Sequence, residues 1–114
     1  MLFDALASVV IASCYDGDTC TTTTGERVRL ACIDTPELVG MRAEPVPARA
    51  ARDHLRSLVV GKKVGIRRIT KDRYGRTVVE LFLGTTNVQR EMVVSGHAEI
   101  YWRYQDQCPW TEGR

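Results

Sequence analysis

Residues 6–37 read LASVVIASCYDGDTCTTTTGERVRLACIDTPE, and this stretch decides the fold. Residues 6–15, rich in Val, Ile, Ala and Ser, predict a strand. Asp16-Gly17 is a turn signal, Thr19–Thr24 supplies a β-branched second strand, and Gly25 marks the next turn. Residues 26–34 predict a third strand, with Val28, Leu30 and Cys32 on one face and Arg29 on the other. Three consecutive strands joined by tight turns make a meander.

Downstream the pattern breaks. Gly40, Pro45 and Pro47 make residues 38–47 a loop, expected to be exposed. From Ala48 to Val60 the period becomes helical: Ala51, Leu55, Leu58 and Val59 fall at i, i+4, i+7 and i+8, with Pro47 near the start and Gly61 as the stop. His54 lies off this stripe and is expected at the surface. Val64–Ile69 and Thr77–Leu83 read as a fourth and fifth strand around the charged Lys71–Arg76 turn. Asn87 can cap a second short helix running through Ser95, with Val88 and Met92 inward and Gly96 ending it. Ala98–Tyr104 is a last extended piece rich in aromatics. The result is a mainly β chain with helices (α+β): a five-stranded β-barrel of OB type, with one helix inserted after the third strand.

The 114 residues suffice for a single domain, 1–114, with one modest core. Hydrophobic (44%) and charged (26%) fractions are those of an ordinary globular chain, and no apolar run approaches the roughly 18 residues of a membrane span. The start lacks a basic region, and Val9-Val10-Ile11 is too short for the core of a signal peptide. Net charge is +2, but residues 48–76 carry ten Lys/Arg against Asp53 and Asp72, a local +8 that leaves −6 on the remainder. Such asymmetry suits a surface that meets a phosphate backbone. The four cysteines show no zinc spacing, and a domain with a real core does not need them as a disulfide scaffold. Cys14 and Cys20 flank the Asp-Gly-Asp turn and can face each other across a hairpin; a bridge between them stays open. Cys32 reads as a small buried hydrophobe.

The chemistry-bearing residues sit where this meander turns. Asp18 follows the first turn and Asp34 ends the third strand, so a barrel places both carboxylates on one rim, where a backbone carbonyl can join them around one cation. An oxygen-only set favours Ca²⁺, and the lack of nearby His or Cys ligands argues against zinc. Glu37, three residues beyond Asp34, is placed to address a water instead of the ion. Arg29 and Arg76 can clamp a phosphate, because a guanidinium bridges two phosphoryl oxygens and stays charged. A cation, a base and two arginines are the equipment for attacking a phosphodiester.

Asp16-Gly17-Asp18-Thr19, Val28-Arg29-Leu30 leading into Ile33-Asp34-Thr35-Pro36-Glu37, Asp72-Arg73-Tyr74-Gly75-Arg76, and Asn87-Val88 through Met92-Val93-Val94-Ser95-Gly96 together resemble the staphylococcal-nuclease (thermonuclease) family. Order and spacing agree from about residue 6 to residue 104. The resemblance implies an OB-fold barrel and Ca²⁺-dependent hydrolysis of DNA and RNA, single strands preferred, leaving 3′-phosphate ends. It implies that Asp18, Asp34 and the Thr35 carbonyl bind Ca²⁺ with Asp16 behind them, and that Glu37 acts as general base or water-orienting group. Arg29 and Arg76 would hold the scissile phosphate, and Arg73, Tyr74, Tyr104 and Trp102 would contact the nucleotide. Export to the periplasm or outside the cell is also what the resemblance favours.

Two departures accompany it. Residues 38–47 offer only Arg42 where a family loop carries lysines. Family chains also continue into a last helix on the barrel, whereas this sequence stops at Arg114 soon after Cys108-Pro109-Trp110. The expectation is either a shortened chain or another surface, a second copy among them, in that helix's place. The rival to an enzyme is a nucleic-acid-binding module of the same fold that has lost catalysis. The full set of acids, Glu37 and both arginines favours the enzyme; a protein-interaction barrel leaves that set unexplained.

Overall fold

The computed structural model describes residues 6–112. Strands β1 (Ala7–Cys14), β2 (Thr19–Thr22) and β3 (Arg27–Leu30) form the expected meander, with β2 ending two residues earlier than the sequence predicts. A two-residue strand β4 (Ile33–Asp34) precedes helix α1 (Pro45–Val59). Then come β5 (Lys63–Lys71), β6 (Thr77–Leu83), the short β7 (Thr86–Asn87), helix α2 (Val88–Val94) and β8 (Glu99–Ile100). Two 3₁₀ turns, Gln105–Gln107 and Pro109–Thr111, follow.

The sheet order is β3-β2-β1-β5-β6-β7, and a parallel pairing of β3 with β6 closes it into a five-stranded barrel. The closure pairs Val28 with Thr77, Arg29 with Val78 and Leu30 with Val79. Alternation along the strands sends Ile11, Val28, Leu30, Val64, Ile66, Val79 and Leu81 inward. Ala51, Leu55 and Val59 of α1 and Met92 of α2 complete this core. Where β3 stops, the buried side chain of Gln89 continues the seam: Leu81 N–H donates to its Oε1 (2.8 Å) and its Nε2 donates to the Leu81 carbonyl (3.2 Å) and to Asn87 Oδ1 (2.9 Å).

Several expectations need correction. Helix α1 begins at Pro45, not Ala48. Pro45 and Pro47 both lie in the first turn, where a missing N–H leaves no intrahelical bond unmade. The third strand is not continuous over 26–34. Cys32 adopts a left-handed φ of 67°, which breaks the ladder; its carbonyl accepts from Tyr101 N–H (2.8 Å), and β4 pairs with β8 in a separate two-stranded sheet. Cys32 is not a lone hydrophobe. It is bonded to Cys108, and together with Ala31 and Val78 it forms a second small cluster. Cys14 and Cys20, partners across β1 and β2, are also bridged, so all four cysteines pair. Of the extended piece Ala98–Tyr104 only Glu99–Ile100 is strand; Tyr104 turns left-handed (φ 65°) into the 3₁₀ segment that Cys108 anchors.

His54 is not a simple surface residue either. Its ring stacks on His97 (centroids 4.6 Å), and its Nε2 lies buried, 3.6 Å from Glu91 Oε2, between the two helices. Charge holds the C-terminal segment in place. Glu80, buried in β6, accepts from Arg67 Nε (2.9 Å) and from the indole N–H of Trp110 (2.8 Å).

Candidate active site

The acid side of the site is built on the β1–β2 turn. The Cys14–Cys20 bridge closes its base. Gly17 packs so tightly against α1 that a Cβ there would lie 2.8 Å from Ala51 Cβ and 2.9 Å from Thr35 Cγ2. Asp16 Oδ1 accepts from Asp18 N–H (3.1 Å), an Asx turn that fixes the loop locally. The Asp18 carboxylate is then fully engaged. Oδ1 accepts from Thr19 Oγ1 (3.1 Å), Oδ2 accepts from Thr35 Oγ1 (3.1 Å), and Arg29 Nη2 lies 3.6 Å from Oδ2.

Asp34 stands at the end of β4, exposed and close enough to Asp18, Arg29 and Glu37 to feel all three charges. Although the residue as a whole is exposed, partial desolvation of its carboxyl by the rim, and then the Asp18 charge, push the Asp34 pKa up against the pull of Arg29. Asp16 rises to about 6 for the same two reasons in the same order, burial ahead of Asp18. A cluster of carboxylates that repel one another in a half-buried rim is what a bound cation would relieve. The donors are all oxygen: Asp18, Asp34 and the main-chain carbonyl of Thr35. That chemistry fits a hard ion such as Ca²⁺. Among the described residues no three His, Cys, Asp or Glu side chains are grouped as a ready-made metal site. An ion held by so few side chains would need water to complete its shell.

The arginine side is built on the β5–β6 turn and the barrel closure. Asp72 organises it: Oδ1 accepts from the backbone N–H of Tyr74 (2.9 Å) and Arg76 (3.0 Å), and Oδ2 accepts from Arg76 Nε (2.7 Å). Burial acts to raise the Asp72 pKa, but these bonds from Arg76 and Tyr74 outweigh it and hold the carboxyl below its usual range. Arg76 Nη1 then reaches Thr19 Oγ1 (3.4 Å), the hydroxyl that serves Asp18. The guanidiniums of Arg73 and Arg76 lie 5.0 and 5.4 Å from the centre of the Tyr74 ring. A cleft of about 480 Å³ opens here, lined by Arg29, Arg76, Tyr74, Tyr101, Arg103 and Tyr104 among others.

The acids do not share that cleft. Asp34, Thr35 and Glu37 line a second hollow of about 400 Å³ with Arg42, Glu44 and His97. Arg29 lines the cleft and Thr35 the second hollow, and the Asp18 carboxylate contacts both residues. Glu37 sits exposed at the root of the 38–47 loop, its carbonyl accepting from Glu44 N–H (2.9 Å). Arg73, Tyr74 and Tyr104 lie on the cleft; Trp102 is exposed and outside its lining, with its ring 5.7 Å from that of Tyr101. Sequence reasoning missed Tyr101 and Arg103 in the cleft, and Thr19 and Asp72 as the groups that orient Asp18 and Arg76. The last two lie inside quoted motifs, and Asp72–Arg76 is a short-range pair legible from spacing. Nothing local marks the first two.

A closed OB-type barrel with acids on one rim and arginines beside them defines a class of small α+β domain. The model of the staphylococcal nuclease homologue family matches residues 27–112, more than half of the chain, and the chain belongs to that family. It is 37% identical over 93 residues to an uncharacterized endonuclease of Haemophilus influenzae, covering 78% of this chain and 49% of that relative. It is 35% identical over 79 residues to an uncharacterized endonuclease of Escherichia coli O157:H7 (68% and 48%). A staphylococcal-like nuclease of Arabidopsis thaliana matches at 35% over 78 residues (68% and 23%). The chain thus spans at most about half the length of these curated relatives.

Proposed function

We infer that this domain is a Ca²⁺-dependent, sugar-nonspecific endonuclease that hydrolyses phosphodiester bonds of DNA and RNA and leaves 3′-phosphate ends. The observation that carries this reading is the continuous contact line Arg29–Asp18–Thr35, which joins the acid rim to the arginine cleft. A phosphate lying across that line meets carboxylate-held charge on one side and two guanidiniums on the other. Family membership and relatives named as endonucleases support the same reading.

When bound by Asp18, Asp34 and Thr35, the ion supplies neutralisation of the phosphoryl charge and a polarised phosphorus. The remaining work belongs to side chains of this chain. Glu37 accepts a proton from water as the water oxygen bonds to phosphorus. Arg29 and Arg76 hold the negative charge that grows on the non-bridging oxygens, Arg76 already aimed by Asp72. The P–O5′ bond breaks, the 5′ oxygen takes a proton from solvent, and the phosphate stays on the 3′ side. Tyr74 is exposed and has the Arg73 and Arg76 guanidiniums near its ring; an unpaired base that stacks on an aromatic and meets arginines beside it suits single strands. The two disulfides favour an oxidising compartment such as the periplasm or the cell exterior.

Calcium-titrated digestion of single-stranded DNA, followed by end-group analysis, tests the reading. Cleavage is expected to need Ca²⁺, to stop with chelator, and to yield 3′-phosphates. Glu37→Gln is expected to lower kcat at least about 100-fold with oligonucleotide affinity nearly intact. Undiminished activity of that variant removes Glu37 from the mechanism; 5′-phosphate ends refute P–O5′ cleavage.

A further inference from the structure

The acid turn has a charged neighbour that the catalytic reading does not use. Arg49, Arg52 and Arg56 occupy α1 at i, i+3 and i+7, hence one face of the helix. Seven residues at about 1.5 Å each span roughly 10 Å. This face lies on the flank of α1 that abuts the β1–β2 turn. Arg56 Nε donates to the Cys14 carbonyl (3.0 Å), and Ala51, beside Arg52, touches Gly17. The opposite flank is occupied: His54 packs there against His97 and Glu91 near α2. Along the arginine flank Arg49 makes no hydrogen bond or ion pair among the described residues, Arg56 uses its Nε, and Arg52 pairs with the exposed Asp53 (3.2 Å). Tyr15, next to the carbonyl that Arg56 grips, is exposed over 62% of its surface.

We propose that Arg49, Arg52 and Arg56, with Tyr15, form a second binding track that carries the sugar-phosphate backbone of a single strand away from the acid rim along helix α1. Basic side chains in a row with an aromatic among them are the sequence-tolerant chemistry of single-strand binding: charge follows the backbone and rings take bases. Asp53 opposes the track, but its pairing with Arg52 is exposed and of the weak surface kind that a phosphate can displace. This inference rests on the nucleic-acid reading above and extends it from the scissile phosphate to the strand beyond.

The test compares Arg49→Gln/Arg52→Gln with wild type and with an equal-charge control on other elements, Lys63→Gln/Arg90→Gln on β5 and α2. Arg56 is left intact because it holds Cys14; unchanged thermal denaturation confirms that each variant folds. Binding of a 12-nucleotide single-stranded DNA is measured across salt, and cleavage is measured on the 12-mer and on a dinucleotide. The track variant is expected to show a log Kd against log salt slope shallower by about 1.4, at about 0.7 per phosphate lost. Its KM for the 12-mer should rise several-fold while its dinucleotide kinetics stay as in wild type. An unchanged slope, or equal shallowing in the control, overturns the track and leaves the hydrolysis reading standing. A wild type that shows the track-dependent slope yet cleaves neither substrate supports the track and refutes hydrolysis. A wild type that does not bind the 12-mer overturns the track.

Discussion

The β1–β2 turn and the 38–47 loop both border the acid rim, and they are held in opposite ways. The turn is closed by a disulfide, braced on Ala51 and Thr35, and engaged through every oxygen of Asp18. The loop is anchored by two backbone bonds, Ala43 N–H to the Gly40 carbonyl (3.2 Å) and Glu44 N–H to the Glu37 carbonyl (2.9 Å). It leaves Val39 and Met41 in solvent. Ligand groups for a cation gain from being fixed before the ion arrives, whereas a base must meet a water whose place depends on the substrate. The proposed roles of Asp18 and Glu37 thus match the rigidity of the segments that carry them.

Breaking the turn should cost most. Replacing both Cys14 and Cys20 by Ala removes a short cross-link, worth roughly 2–2.5 kcal/mol on the chain-entropy relation for a loop of this size. Thermal unfolding checks it; a Tm equal to wild type would show that the turn is set by its helix contacts alone. Gly17→Ala comes next. It places a methyl inside contact distance of Ala51 and Thr35, with an expected loss of about 1–3 kcal/mol from overpacking. Ala51→Gly costs about 1 kcal/mol of its own in the helix interior. The two single losses should nevertheless sum to more than the double variant's, because Ala51→Gly removes the 2.8 Å contact and leaves the one to Thr35. Losses that simply add would place the strain elsewhere. In the loop, Met41→Ser should move stability by no more than about 0.5 kcal/mol, since the side chain is fully exposed. A larger change would mean that the loop packs on something and that the contrast fails.

Local signals carried the meander, the helical stripe and both charged turns. Gly17, Asp18 and the Asp72–Arg76 pair act within a few residues of themselves, so their geometry could be read from their neighbours. What the sequence hid depends on partners far along the chain. Cys32 bonds to a residue 76 positions away, and the break it makes separates Arg29 and Asp34 into different sheets. The same bridge anchors the segment that brings Tyr101 and Arg103 to the cleft. Arg29 and Asp34 accordingly line different hollows. His54 was misplaced for a related reason: its neighbours lie on α2 and just beyond it, and periodicity within α1 says nothing of them.

The amide of Gln89 has a consequence for life at high concentration. Strands whose N–H and C=O groups face outward unpaired are templates on which another chain can add. Beyond the last residue of β3, Leu81 would offer such a pair of groups, and the glutamine fills both with one side chain. The protein thereby finishes its own margin with a side-chain amide in imitation of backbone and denies a foreign strand its foothold.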